Sequence, residues 1–162
     1  MGELCRAIGE LVLWTSIIDG QLSTAASLMF VKDDTPTVEL LVGEIEFRRK
    51  AELLKTRAKE ITGADDWMNA ICKWVKKAEA INDAPNIVAH QRPTGAADTL
   101  ALQSHQLTRI IKSIKKEPVN LPRVLHWIED AKRCHEQGGT VIGNLREFAS
   151  AWRAHAASVG AN

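Results

Sequence analysis

Apolar residues recur along most of this chain at steps of three and four, the repeat of one helix face, while the alternation of strands is weak. The longest stripe runs Leu4, Ile8, Leu11, Thr15, Ile18, Leu22, Ala25 and Met29, and it holds phase through Gly9 and Gly20. A chain break at Asp19-Gly20 would reset that phase. The spacing therefore predicts one continuous first helix of about 40 Å at ~1.5 Å rise per residue, with Gly20 as its weak point.

A connection follows at "KDDTP", with Thr35 placed as N-cap and Pro36 at the first helical position. The second helix is predicted on Val38, Leu41, Ile45, Leu54, Ala58 and Ile61, ending at Gly63. Arg48 interrupts its stripe, which turns the middle of that helix towards solvent or a partner. Asp65 or Asp66 opens a third helix on Trp67, Ile71, Trp74, Ala78 and Ile81, a phase that Pro85 and Val88 continue.

"QRPTGAAD" is the clearest loop. A fourth helix is predicted from Asp98 to Lys116 on Leu100, Leu107, Ile111 and Ile114. After "EPVNLP", Asn120 or Leu121 precedes Pro122 and a fifth helix on Val124, Ile128 and Ala131, which "QGG" is expected to end. Val141, Leu145, Phe148, Trp152 and Val159 mark a sixth. The expected fold class is all-α: one domain over residues 1–162, an up-and-down helical bundle of about five to six helices.

Composition narrows this picture without redirecting it. Apolar residues at 45% and charged residues at 25% are globular values, which exclude wholesale disorder. The net charge of +1 gives no global field to draw the protein onto nucleic acid or membrane. Charge is blocked locally, however, with six bases from Phe47 to Lys59 against Glu52, a block read as a solvated helix face. The five Trp residues lie at or beside stripe positions, which assigns them to packing rather than to stacking on bases.

Cys5, Cys72 and Cys134 lack any CxxC or CxxH spacing, so buried free thiols in a reducing cytoplasm are expected. No basic leader with a cleavage site opens the chain and no run reaches the ~18 apolar residues of a span, so a cytoplasmic protein without a membrane anchor is expected.

Metal and nucleophile chemistry find little support. HExxH is missing, no His has an acid three residues before it, and Cys134 and His135 are adjacent, hence about 100° apart on a helix. His126 and Asp130 share a face at i, i+4, but two ligands do not make a site. No GxSxG elbow or phosphate loop occurs, and "GG" at 138–139 lacks the lysine of a phosphate loop and reads as a helix end. No cofactor and no metal are expected.

One stretch has chemistry to offer: "AINDAPNIVAH", residues 80–90. It reads Pro85-Asn86-Ile87-Val88-Ala89-His90 at its end. A long first helix, a second, and a third closing on Asn-x-x-x-His resembles the HEPN superfamily of helical bundles. Members of that family carry an arginine followed by four to six residues and then the histidine, often as Arg-Asn-x-x-x-His. Asn86 and His90 match that motif, and Pro85 stands where the arginine belongs. The resemblance covers residues 1–95, leaving 96–162 as additional helices.

The resemblance implies metal-independent RNA cleavage at Asn86 and His90, and its departure puts that cleavage in doubt. A histidine titrating near neutrality can serve as base or acid towards a 2′-hydroxyl. A guanidinium supplies fixed bidentate charge to the phosphate, and Pro85 supplies neither charge nor donor. Arg92 is a candidate substitute, though it follows His90 rather than preceding it. Arg109, Lys112 and Lys116 share a helix face at 0, 3 and 7, a candidate phosphate contact that salt would weaken.

A plainer reading of 80–90 stands beside this one. Asp83 or Ala84 would cap a short helical segment beginning near Pro85, and Asn82, Asn86 and His90 would form a polar edge for a neighbouring helix or a second protomer. The favoured function is a non-catalytic helical interaction module resembling a degenerate HEPN domain, dimeric through its first helices. The alternative is a metal-independent ribonuclease or RNA-binding protein of the HEPN type.

Overall fold

The computed structural model describes residues 2–30, 42–60, 65–89, 91–94, 101–104 and 119–159. Among them lie four helices: α1 (Gly2–Phe30), α2 (Phe47–Glu60), α3 (Asp65–Ala89) and α4 (Leu121–Val159). A two-stranded antiparallel ribbon, β1 (Gln91–Thr94) with β2 (Ala101–Ser104), follows α3. The protein is a helical bundle, and no described helix is long and apolar enough to cross a membrane.

α1 is the continuous helix that its stripe predicts, with Gly20 exposed inside it. Leu4, Leu11, Ile18, Leu22, Ala25 and Met29 are buried. Each fully buried Leu or Ile contributes about 1.5–3 kcal/mol, far more than a single exposed helix glycine removes.

The predicted second helix is not continuous. Helix at Val42–Gly43 gives way to a turn at residues 44–46, where the Ile45 amide donates to the Val42 carbonyl (3.1 Å), and α2 restarts at Phe47. The break resolves the phase conflict at Arg48. It rotates Arg48 outward, to 76% side-chain exposure, and brings Lys50, Ala51, Leu54 and Ala58 inward. Lys50, counted with a solvated face, is in fact 1% exposed and paired with Asp19 of α1.

α3 runs unbroken through Pro85, so no new helical segment starts there. Pro85 has no N–H for the Ile81 carbonyl, a defect costing about 3 kcal/mol in a helix interior. Burial of Ile81, Ala84 and Val88 on one face holds the helix together across it.

The fifth and sixth predicted helices are one helix of 39 residues, since "QGG" lies inside α4. Val124, Ile128, Ala131, Cys134, Val141 and Leu145 are buried along it, and Gly138 occupies the stripe between Cys134 and Val141. A Cβ on Gly138 would stand 2.5 Å from Gln21 Oε1 and 2.9 Å from Trp74 Cε2. Gly138 is there because three helices meet at that point, not to end one. Asn120 caps α4, its side-chain oxygen accepting from the Arg123 amide (3.1 Å).

The fourth predicted helix fails at its start, where Ala101–Ser104 form β2. Leu102 pairs with Pro93 and Gln103 with Arg92. Both strands are edges, where the missing N–H of Pro93 is tolerated. The rest of that helix, the Thr35-Pro36 start and the Gly63 end lie outside the described residues.

Contacts give the helix directions. Lys132 reaches Glu10, the His135 ring meets Trp14, and Gly138 meets Gln21, so α1 and α4 run parallel. Trp67 meets Phe148 while Trp74 bonds the Cys134 carbonyl, which sets α3 antiparallel to α4. Arg48 pairs with Asp83 and Lys55 with Glu79, so α2 is antiparallel to α3. Strict up-and-down alternation is therefore not the arrangement among the described helices. α3 runs against the other three and packs on all of them.

Candidate functional site

The end of α3 presents Asn82 and Asn86 at i, i+4, Asn82 half-buried and Asn86 exposed. Their position is set by the opposite face of the helix, where Ala78, Ile81, Ala84 and Val88 are buried. Because the helix persists through Pro85, the two amides share one edge rather than being re-aimed by a break.

Asn82 also lines an open cleft of about 310 Å³ between α2 and α3, with Phe47, Arg48, Glu79 and Asp83. Its charges are paired. Arg48 Nη2 donates to Asp83 Oδ1 at 3.2 Å, and Lys55 Nζ donates to Glu79 Oε1 at 2.7 Å. The Arg48–Asp83 pair is well exposed and holds the helices in register more than it stabilises them, at about 0–1 kcal/mol.

The basic block of α2 is used in the same way. Of its six bases, Arg48, Lys50, Lys55 and Arg57 form ion pairs with Asp83, Asp19, Glu79 and Glu60. Arg57–Glu60 lies within α2, while the other three pairs turn what reads in sequence as a cationic face into a cross-link between α2 and its neighbours α1 and α3. Glu79 and Asp83, one turn apart on α3, are the partners that sequence reasoning missed. Their i, i+4 spacing opposite a basic helix was the available signal.

Of the candidate residues, Asn86 is the one whose surroundings are described. His90, Arg109, Lys112 and Lys116 lie outside the described residues. Arg92 is placed by its backbone in β1, opposite Gln103. The structure thus brings Asn86 together with Asn82 on one edge, and leaves the remaining candidates without a described juxtaposition.

Of the metal candidates, His126 and Asp130 meet as a pair, whereas Cys134 and His135 point apart. His126 Nε2 lies 3.4 Å from Asp130 Oδ2 as an exposed i, i+4 pair. Cys134 is buried, while the His135 ring packs at 5.4 Å from the Trp14 ring. Among the described residues, no group of three or more His, Cys, Asp or Glu side chains could hold a metal ion. Burial pushes the Cys134 thiol up to about 11, with nearby Lys77 and the Trp74 hydrogen bond opposing the shift, so this sulfur is a packed, neutral group. Cys5, expected to be buried, is exposed, and Cys72 is half-buried.

Comparison with family models, with curated proteins and with solved structures finds no match for this chain.

Proposed function

We propose that this chain is a non-catalytic helical interaction module, resembling a HEPN bundle in its Asn86 and His90 and lacking the arginine that cleavage would need. The observation that carries this reading is the charge beside Asn82. Two carboxylates, Glu79 and Asp83, line the cleft, and the guanidinium there is already bound to one of them. A phosphate docked on the Asn82–Asn86 edge would find both nearby cations, Arg48 and Lys55, already held by carboxylates, whereas metal-free phosphoryl chemistry depends on free positive charge fixed in advance. Amides, paired charges and the half-buried ring of Phe47 suit the hydrogen bonding of a protein partner. In this reading the protein also pairs with a second copy through α1, where Val12 and Leu13 stand 47% and 59% exposed.

Single-stranded RNA incubated with the purified protein in EDTA is expected to stay intact, and His90→Ala to change nothing. Robust cleavage that His90→Ala abolishes would overturn the reading.

One observation favours the ribonuclease or RNA-binding alternative. The Arg48 side chain is 76% exposed, so its guanidinium is accessible to exchange Asp83 for a phosphate. RNA binding that is lost in Arg48→Ala and weakens steeply with salt would establish that alternative.

A further inference from the structure

The apolar core of the described residues is divided in two. The larger cluster takes α1 from Ile18 to Met29, α2 from Ala51 to Ala58, α3 from Ile71 to Ile81 and α4 from Ala131 to Leu145. The smaller takes Leu4 to Leu11 of α1, Ala84 and Val88 of α3, and Val124 and Ile128 of α4, with Val119. The three long helices change cluster at one level, between Leu11 and Ile18, Ile81 and Ala84, and Ile128 and Ala131. Trp14, partly buried, packs against both.

We propose that the end of the bundle built on the smaller cluster opens as a local unit hinged at Pro85. Three features of the structure meet at the boundary. Pro85 follows Ala84, the first α3 residue of the smaller cluster, and deletes the hydrogen bond that the carbonyl of Ile81, the last of the larger, would accept, so the gap in the ladder spans the boundary. Such a gap in the helical ladder is where helices bend. The buried apolar residues of α2 all belong to the larger cluster, so among the described residues three helices hold the smaller end and four hold the rest. The ion pair bridging α1 and α4 at this level, Lys132 with Glu10, is half-exposed on both sides, so the seam is open to solvent there.

Cooperativity travels through contiguous buried contacts, so a unit with its own cluster, sharing one partly buried tryptophan with the other, opens at lower free energy than the whole. The consequence falls on the candidate site. Asn82 lies before the hinge and Asn86 beyond it, so the polar edge they share is assembled when the unit is closed and comes apart when it opens. The inference stands on the division of the core and is independent of the interaction-module reading.

Native-state hydrogen exchange on the full chain, in a series of sub-denaturing urea concentrations, tests it. The amides of Ala7, Leu11, Val88 and Ile128 are expected to share one opening with one urea slope, about tenfold or more less protected than Leu22, Leu54 and Trp74. Pro85→Ala, which restores the missing donor, is expected to narrow that gap severalfold while leaving the larger cluster nearly unchanged. Protection graded residue by residue from the helix ends would mean simple fraying and would overturn the proposal. So would a single opening common to both sets, or an equal rise of both sets in Pro85→Ala.

Discussion

The ammonium of Lys50 lies 2.9 and 2.8 Å from the two carboxylate oxygens of Asp19, joining α2 to α1 in a site where the lysine is 1% exposed and the aspartate 37%. The pair is asymmetric. Asp19 keeps contact with solvent, whereas Lys50 has given its hydration up and, among the described residues, is paired with Asp19. A buried charge of this kind is weak as a source of stability and strong as a selector of arrangement, because any rotation of α2 that separates the pair leaves an unmatched ammonium in the core.

The asymmetry predicts unequal costs for removing the two partners. Asp19→Ala is expected to cost about 3 kcal/mol or more, since it strands the buried ammonium. Lys50→Met keeps the volume and leaves a carboxylate that can be hydrated, so its cost is expected below ~1.5 kcal/mol. Urea unfolding of both variants measures the difference, and equal losses would show that burial is not what separates them.

Gly138 and Gly20 are both helical glycines, and they are expected to respond to alanine with opposite signs. At Gly138 the added methyl collides with Gln21 and Trp74, an overpacking expected to cost about 1–3 kcal/mol. At Gly20 a Cβ would meet nothing within 4 Å, so helix propensity alone acts and stability rises by up to ~1 kcal/mol. Thermal melts of the two variants check the sign.

The Cys134 thiol is held protonated by burial, its pKa raised from 9.0 to about 11. Between those values the unfolded chain gives up a proton that the folded chain keeps. The stabilisation is therefore present below pH 9 and is lost as pH rises through about 11. Wild-type protein is expected to lose more stability than Cys134→Ala across that interval. Alkylation is expected to modify exposed Cys5 well before Cys134.

The proposed pairing of two copies through α1 would place exposed Val12 and Leu13 in contact with their counterparts, where a charge would face its own image. Leu13→Glu is expected to turn a dimer into monomer in sedimentation at micromolar concentration, with helicity unchanged. Monomer already in the unaltered protein would remove this part of the functional reading.

The stripes of α1 and α3 were legible because their burial repeats at helical spacing through every weak residue, including Gly20 and Pro85. At the candidate site, the sequence by itself determined that Asn82 and Asn86 share a helix edge, provided the helix survives the proline. Whether it survives was a tertiary matter. Burial of Ala84 and Val88 against α1 and α4 offsets a local cost that the sequence displays and the partners do not.

Gly138 carries the same lesson in reverse. Glycine after "EQ" has the local form of a helix end, and only the approach of Trp74 and Gln21, distant in sequence, makes it a packing position within one long helix. The turn at residues 44–46 and the burial of Lys50 likewise needed the third dimension. Periodicity records which face of an element is apolar, and that much the chain determines alone. It does not record which elements come close enough to exclude a methyl group, neutralise a lysine or compensate a missing hydrogen bond, because those energies belong to pairs of residues on different helices.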